Sequence, residues 1–176
     1  MQIAKIGEAI LRTPARKVSH DEFSQAPLIG FCDDLLATML AANGIGIAAT
    51  QVFDPRAIMI IASRPNARYP HAPTMEPLLL INPEVLARSD EQVWEWEGCL
   101  SVPALRGRIA RSDWVEVSYQ TIHGEAQQQR FVGFVARVFL HEYDHLIGLT
   151  WLDHIKSTQD IMAESVWLTA LEQGRL

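Results

Sequence analysis

The segment His141-Glu142-Tyr143-Asp144-His145 narrows the possible folds more than any other stretch of the chain. Around it, from Phe134 to Ile147, apolar residues recur at spacings of three and four and Gly148 supplies a natural stop, so the pattern predicts a helix. On a helix, positions i and i+4 lie only about 40° apart around the axis, so His141 and His145 offer their imidazoles to one metal ion. Glu142 stands about 100° from His141 and about 60° from His145, near enough to act as a general base beside such an ion without ligating it. The competing reading is a solvated helix face that carries two histidines and two acids. Two imidazoles make an incomplete site, so a fold built on this helix must bring it a third donor.

The rest of the sequence describes what can surround that helix. Its 176 residues, 48 % of them hydrophobic, fit one compact domain over 1–176 with a real core. Residues 26–43 place Leu28, Ile29, Cys32, Leu35, Leu36, Met39 and Leu40 at helical spacing, ending at Gly44. GIGIAATQ at 44–51 reads as a glycine-rich turn region, and Ala57 to Ile61 as a buried strand. Residues 63–77, with four prolines, read as an exposed loop, and Leu78 to Asn82 as a strand closed by Pro83. Between Glu84 and Tyr119, β-rich runs predict a small antiparallel sheet, clearest over Trp114 to Tyr119. A last helix is expected from about Thr158 towards Leu171, opened by Ser157 and Asp160 in a capping-box arrangement. Helix, strands and helix follow one another without a repeating βα unit. The class is therefore α+β, a mostly antiparallel sheet packed around the central metal-binding helix, with an N-terminal and a C-terminal helix.

Fifteen Lys plus Arg against 21 Asp plus Glu leave a net charge of −6, which lacks the basic footprint of a nucleic-acid or anionic-membrane binder. No apolar run nears the ~18–20 residues that span a bilayer, and the opening MQIAKIGEAILRTPARK has no apolar stretch leading to a cleavage site. A cytoplasmic protein is expected. Of the two cysteines, Cys32 sits on an apolar helical stripe and reads as core. Cys99, in Glu97-Gly98-Cys99-Leu100-Ser101, is a candidate third ligand: two imidazoles, a thiolate and a water make a tetrahedral site with one open position, and an open position means catalysis. Two other completions were possible. A metzincin-like continuation needs a histidine at 151, where Trp151 cannot bind metal, and a thermolysin-like one would use an acid such as Glu164 on a following helix. A metalloprotease built on Glu164 stays open as an alternative.

GIGIAATQ (44–51), EGCLS (97–101) and HEYDH (141–145) occur in the order, and at about the spacing, of the three signature motifs of the peptide deformylases. The likeness continues through LINP (80–83), SVPALRGRIAR (101–111) and GFVARVFLHEYDHLIG (133–148), covering most of residues 30–155. The chain thus resembles the bacterial or organellar deformylases, which remove the N-formyl group from the initiator methionine of new polypeptides. The resemblance implies Cys99, His141 and His145 as ligands of one divalent ion, Fe²⁺ in the cell with Zn²⁺, Ni²⁺ or Co²⁺ as substitutes. Thiolate and imidazole suit all four and do not choose among them. It implies Glu142 as the acid/base, Gln51 and the backbone N–H of Leu100 as donors to the tetrahedral oxyanion, and Ile45 and Gly46 as the edge that pairs with the substrate backbone. The implied partners are N-formylmethionyl nascent peptides and, transiently, the ribosome, with no nucleic acid or membrane bound directly.

Ile45, Phe134 and Val138 are candidates for the methionine pocket, the last two lying seven and three residues before His141 on its own face; ordinary core packing is the alternative for each. Arg106 resembles a position near the downstream part of the peptide, unless it is an exposed solubilising arginine. Glu97 travels with Cys99, and ligating histidines donate their other N–H to such carboxylates, so Glu97 is expected behind a ligand; Arg137, one turn before His141, either pairs with it or faces solvent. The sequence also departs from the family pattern. Thr50 stands where proline is usual, Phe53 where glycine is common, Leu140 in place of glutamine, and Gly7-Glu8-Ala9 in place of a proline-containing opening. Glu95 falls near a position that relatives give to an apolar pocket residue. A deformylase-like protein with altered acyl or peptide specificity, or without catalysis, is therefore a second alternative. His20, His71, His123 and His154 read as surface or turn residues.

Overall fold

The computed structural model describes residues 1–176. Helix α1 (Ala26–Ala41) precedes β1 (Gly46–Ala48), β2 (Ile58–Ser63), β3 (Met75–Arg88), β4 (Gln92–Cys99), β5 (Val102–Ser112), β6 (Trp114–Gln120) and β7 (Ala126–Val132). Helix α2 (Gly133–Leu146), strand β8 (Ile161–Ala163) and helix α3 (Glu164–Glu172) complete the chain. Five strands form one sheet in the order β1-β2-β3-β6-β7 and three form another in the order β4-β5-β8, every pairing antiparallel. This is the α+β class expected from the sequence, with α2 at its centre.

Two apolar clusters fix α2 and α1 against the larger sheet. Ala136, Val138, Phe139, Leu140 and Leu146 of α2 meet Met59, Ile61, Leu80, Val115 and Val117 of the sheet. Val115, Val117 and Tyr119 alternate inward along β6, the period of a strand with one wet face. Burying one such side chain contributes roughly 1.5–3 kcal/mol, so the helix that carries the histidines is anchored along its length. Leu28, Cys32, Leu35 and Met39 of α1 pack on Ile47, Ile58, Ile60 and Ile81 in the second cluster, which is where Cys32 was expected. No helix is long and apolar enough to cross a membrane.

Two local expectations fail, and one strand was not anticipated. Pro83 does not close a strand: β3 runs on to Arg88, because the register slips between Ile81 and Glu84 and the proline sits in that irregularity, where no ladder N–H is required. Asn82, at φ 51°, holds the slip by bonding both the N–H and the carbonyl of Val18. The last helix starts at Glu164, not near Thr158; Ser157 caps only a short 3-10 turn, and Ile161–Ala163 pairs with Leu105–Gly107 instead. Strand β7, polar and mostly exposed, carries too little alternation to be read from the sequence.

Candidate active site

Helix α2 presents His141 and His145, and the turn between β4 and β5 brings Cys99 to them. The three ligating atoms lie within 4.8 Å of one another, with Cys99 Sγ 3.2 Å from His145 Nε2. Burial pushes the Cys99 thiol up, but the adjoining imidazoles of His145 and His141 outweigh it and hold the group well below the usual thiol range. A thiolate converging with two imidazoles fits one borderline divalent ion. Glu164, the ligand of the protease alternative, is not in this group; its carboxylate pairs with Arg106 at 2.5 Å.

Behind the donors lies a buried network of charges. His141 Nδ1 is 2.8 Å from Glu97 Oε2, so the ring donates there and leaves Nε2 as the atom that would hold an ion. Arg111 grips Glu97 with Nε at 2.7 Å and a second nitrogen at 2.9 Å, and Arg137 adds a bond of 2.8 Å, so Arg137 pairs rather than facing solvent. Arg111 also reaches Asp144 at 2.8 Å, and His154 Nε2 lies 2.8 Å from the same carboxylate oxygen. Burial would push the Glu97 carboxyl up, yet Arg111 and His141 hold it well below the ordinary carboxylate range. Thr50 also serves this side, its hydroxyl donating to the His145 carbonyl at 3.2 Å.

Glu142 faces the cleft. Its carboxyl is buried, Oε2 has no hydrogen-bond partner, and burial pushes its pKa up to about 7. Gly46 makes room for it: a β-carbon there would fall 2.4 Å from Glu142 Oε1. Gln51 is oriented by accepting from Ala48 N–H at 2.8 Å, which turns its Nε2 to Ser101 Oγ at 3.1 Å and Cys99 Sγ at 3.5 Å. The Leu100 N–H has no acceptor in the protein.

Ile45, Gly46, Phe134, Val138 and Arg106 all line the cleft beside Gln51, Cys99, Leu100, His141 and Glu142, so the structure brings the sequence-derived candidates together. Arg106 is neither exposed nor solubilising: it is 1 % exposed, bonds Tyr69 Oη at 2.9 Å and Glu164, and stacks over Trp167 at 4.5 Å. Glu95 is exposed on β4 and does not line the cleft, so it alters no pocket. Leu140 is part of the core, and Phe53 takes the left-handed conformation, φ 64°, that makes glycine common at such a position. Sequence reasoning missed Tyr69, whose ring meets Phe134 at 5.1 Å, and Arg111, Asp144 and His154 behind the ligands. The spacing of Asp144 within HEYDH placed it beside the site, but its partners come from β5 and from beyond the helix.

A buried carboxyl without a partner, set next to a thiolate and two imidazoles on an α+β frame, defines a metal-dependent hydrolase. Residues 1–160 match the family model described as polypeptide deformylase. The chain belongs to that family, whose enzymes remove the N-formyl group from the initiator methionine of polypeptides. It is 44 % identical over 164 residues to peptide deformylase 2 of a Nostoc species, covering 93 % of this chain and 90 % of that one. With peptide deformylase 2 of Shewanella oneidensis it shares 44 % over 165 residues, again 93 % and 90 % of the two chains. The Met-Ala-Ser-bound crystal structure of class I type b peptide deformylase from Acinetobacter baumannii superposes with a TM-score of 0.86 at 46 % identity, covering 87 % of this chain and 96 % of that one.

Proposed function

We propose that this chain is one catalytic domain, 1–176, that hydrolyses the formamide of N-formylmethionyl peptides, with Cys99, His141 and His145 holding one divalent ion. The observation that carries the reading is the buried, partnerless Glu142 carboxyl beside the three converging donors. When bound, the ion supplies Lewis acidity that acidifies a water and polarises the formyl carbonyl. Glu142 takes the proton that the attacking water releases and hands it to the departing amine, two duties suited by a carboxyl poised near neutrality. Gln51 Nε2 and the Leu100 N–H donate to the carbonyl oxygen as charge collects on it; losing one such donor costs about 3 kcal/mol of barrier. Formate and a free methionyl amine leave.

Strand β1 pairs with β2 on one side only, so its other edge is free to add an extended peptide through Ile45 and Gly46. Main-chain pairing of this kind tolerates varied downstream sequence, while Ile45, Phe134 and Val138 receive the methionine side chain and Arg106 stands at the downstream rim. Fe²⁺ is the proposed native ion, with Zn²⁺, Ni²⁺ or Co²⁺ able to substitute, and nascent chains in the cytoplasm, met through transient ribosome contact, the proposed substrates. The test is formate release from a short N-formyl-Met peptide by protein loaded anaerobically with Fe²⁺, or with Ni²⁺, beside a Glu142→Ala control. Turnover that vanishes in the control is expected; no turnover from a fully loaded protein would overturn the reading.

A further inference from the structure

The N-terminal segment crosses behind both loops that carry the proposed oxyanion donors. Ala4 N–H donates to the Gln51 carbonyl at 2.8 Å, and Ile6 N–H donates to the Ser101 carbonyl at 2.8 Å. Between them the exposed Lys5 side chain reaches the Leu100 carbonyl at 2.8 Å, its only hydrogen bond. Three consecutive residues thus hold two loops that lie far apart in the sequence. The inward side of the same junction is closed by Gln51 Nε2 on Ser101 Oγ and Cys99 Sγ.

We infer that residues 4–6 form a clamp that positions the oxyanion donors, with Lys5 as its charged member; this rests on the reading that Gln51 and the Leu100 N–H perform that role. The Leu100 N–H and carbonyl belong to consecutive peptide planes. A bond to the Leu100 carbonyl fixes the plane after residue 100, and the Ile6 bond to the Ser101 carbonyl fixes the next one, which anchors the Leu100 Cα, one end of the plane that carries the Leu100 N–H. Donors held before the reaction need no reorganisation as charge develops, and that is where their effect on rate arises. The Lys5 ammonium also sets a positive charge against the carbonyl of the residue whose N–H is the proposed donor. Because the uncharged formyl carbonyl gains less from either effect than the tetrahedral state does, the clamp acts on kcat more than on KM. Lys5 is a positioning residue and touches no reacting atom.

Lys5→Met, Lys5→Arg and Gln51→Ala would be compared as loaded enzymes, kcat being taken per bound ion, with Lys17→Met as the control for losing an exposed cation elsewhere. Lys5→Met is expected to lower kcat about five- to twentyfold with KM within about twofold, Lys5→Arg to restore most of it, and Lys17→Met to change neither. A Lys5→Met enzyme with kcat within twofold of the parent, while Gln51→Ala is strongly impaired, would overturn the clamp alone. An unimpaired Gln51→Ala enzyme would instead remove the oxyanion reading on which the clamp depends. Loss of bound ion with unchanged kcat per ion would also overturn it, since Lys5 would then be holding Cys99 rather than the donors.

Discussion

Behind His141, the Glu97 carboxylate accepts from two arginines and an imidazole, with Glu97, Arg111, Arg137 and His141 each less than 10 % exposed. Across the cleft, the 64–74 loop presents Tyr69, whose side chain is held by one bond from Arg106 and by its ring contact with Phe134. The first wall is fixed by charges that have no second place to go; the second is fastened by contacts that can be remade. The contrast follows from what each side must do. Ligand geometry tolerates little displacement, so the donors are braced from behind. A peptide read through its main chain varies in side chains, and a wall of partly exposed loop can adjust to them.

Breaking the first wall should have the largest effect. Cys99→Ala removes a donor, and ion affinity is expected to fall by more than the roughly 10–100-fold typical of losing an outer partner, with activity falling alongside. Metal content after dialysis measures it. Arg111→Met comes next, because it leaves Glu97 and Asp144 buried with only part of their compensation. A stability loss of about 3–5 kcal/mol follows, or roughly 10–15 °C in the melting temperature of the metal-free protein. A variant that melts within a few degrees of the parent would show that the network is not what stiffens this wall.

The same network sets an acid limit. Burial acts to raise both carboxyls, but Arg111 and His141 hold Glu97 well below its ordinary value of 4.5, and His154 and Arg111 hold Asp144 below 3.8. In this range the unfolded chain binds more protons than the folded one, so stability rises with pH. The contribution is complete above about pH 4.5 and is lost as pH falls through the lower, folded-state values. Denaturant midpoints measured from pH 6 down to pH 3 should fall steeply in the parent and less steeply in Arg111→Met, whose carboxyls have less depression to lose.

The two walls also differ in how far they could be read from the sequence. Metal donors announce themselves because i, i+4 geometry is a local property of a helix, and Glu97 was legible because it travels two residues from Cys99. Arg111, Asp144 and His154 were not, since ion pairs between β4, β5, α2 and the turn after it depend on a register that no local pattern encodes. The loop expected at 63–77 spans only 64–74, since Ser63 ends β2 and Pro77 lies inside β3, and its role was hidden because the partner of Tyr69 is an arginine that composition alone reads as solvent-facing. The start of α3 was misplaced for a related reason: Ile161–Ala163 becomes a strand only because β5 offers it an edge.

The smallest expected effect is the one that tests the second wall most directly. Tyr69→Phe keeps the ring against Phe134 and removes only the hydroxyl that accepts from Arg106, while Arg106 retains Glu164 and the face of Trp167. One such bond contributes about 0.5–1.5 kcal/mol, or roughly two- to tenfold in an equilibrium, and it acts on the loop rather than on the donors. KM for a formylated tripeptide should therefore rise by that factor, with kcat and bound ion unchanged and the melting temperature lowered by no more than a few degrees. If Tyr69→Phe instead lost ion or melted early, the loop would be part of the brace, and the two walls would be one structure.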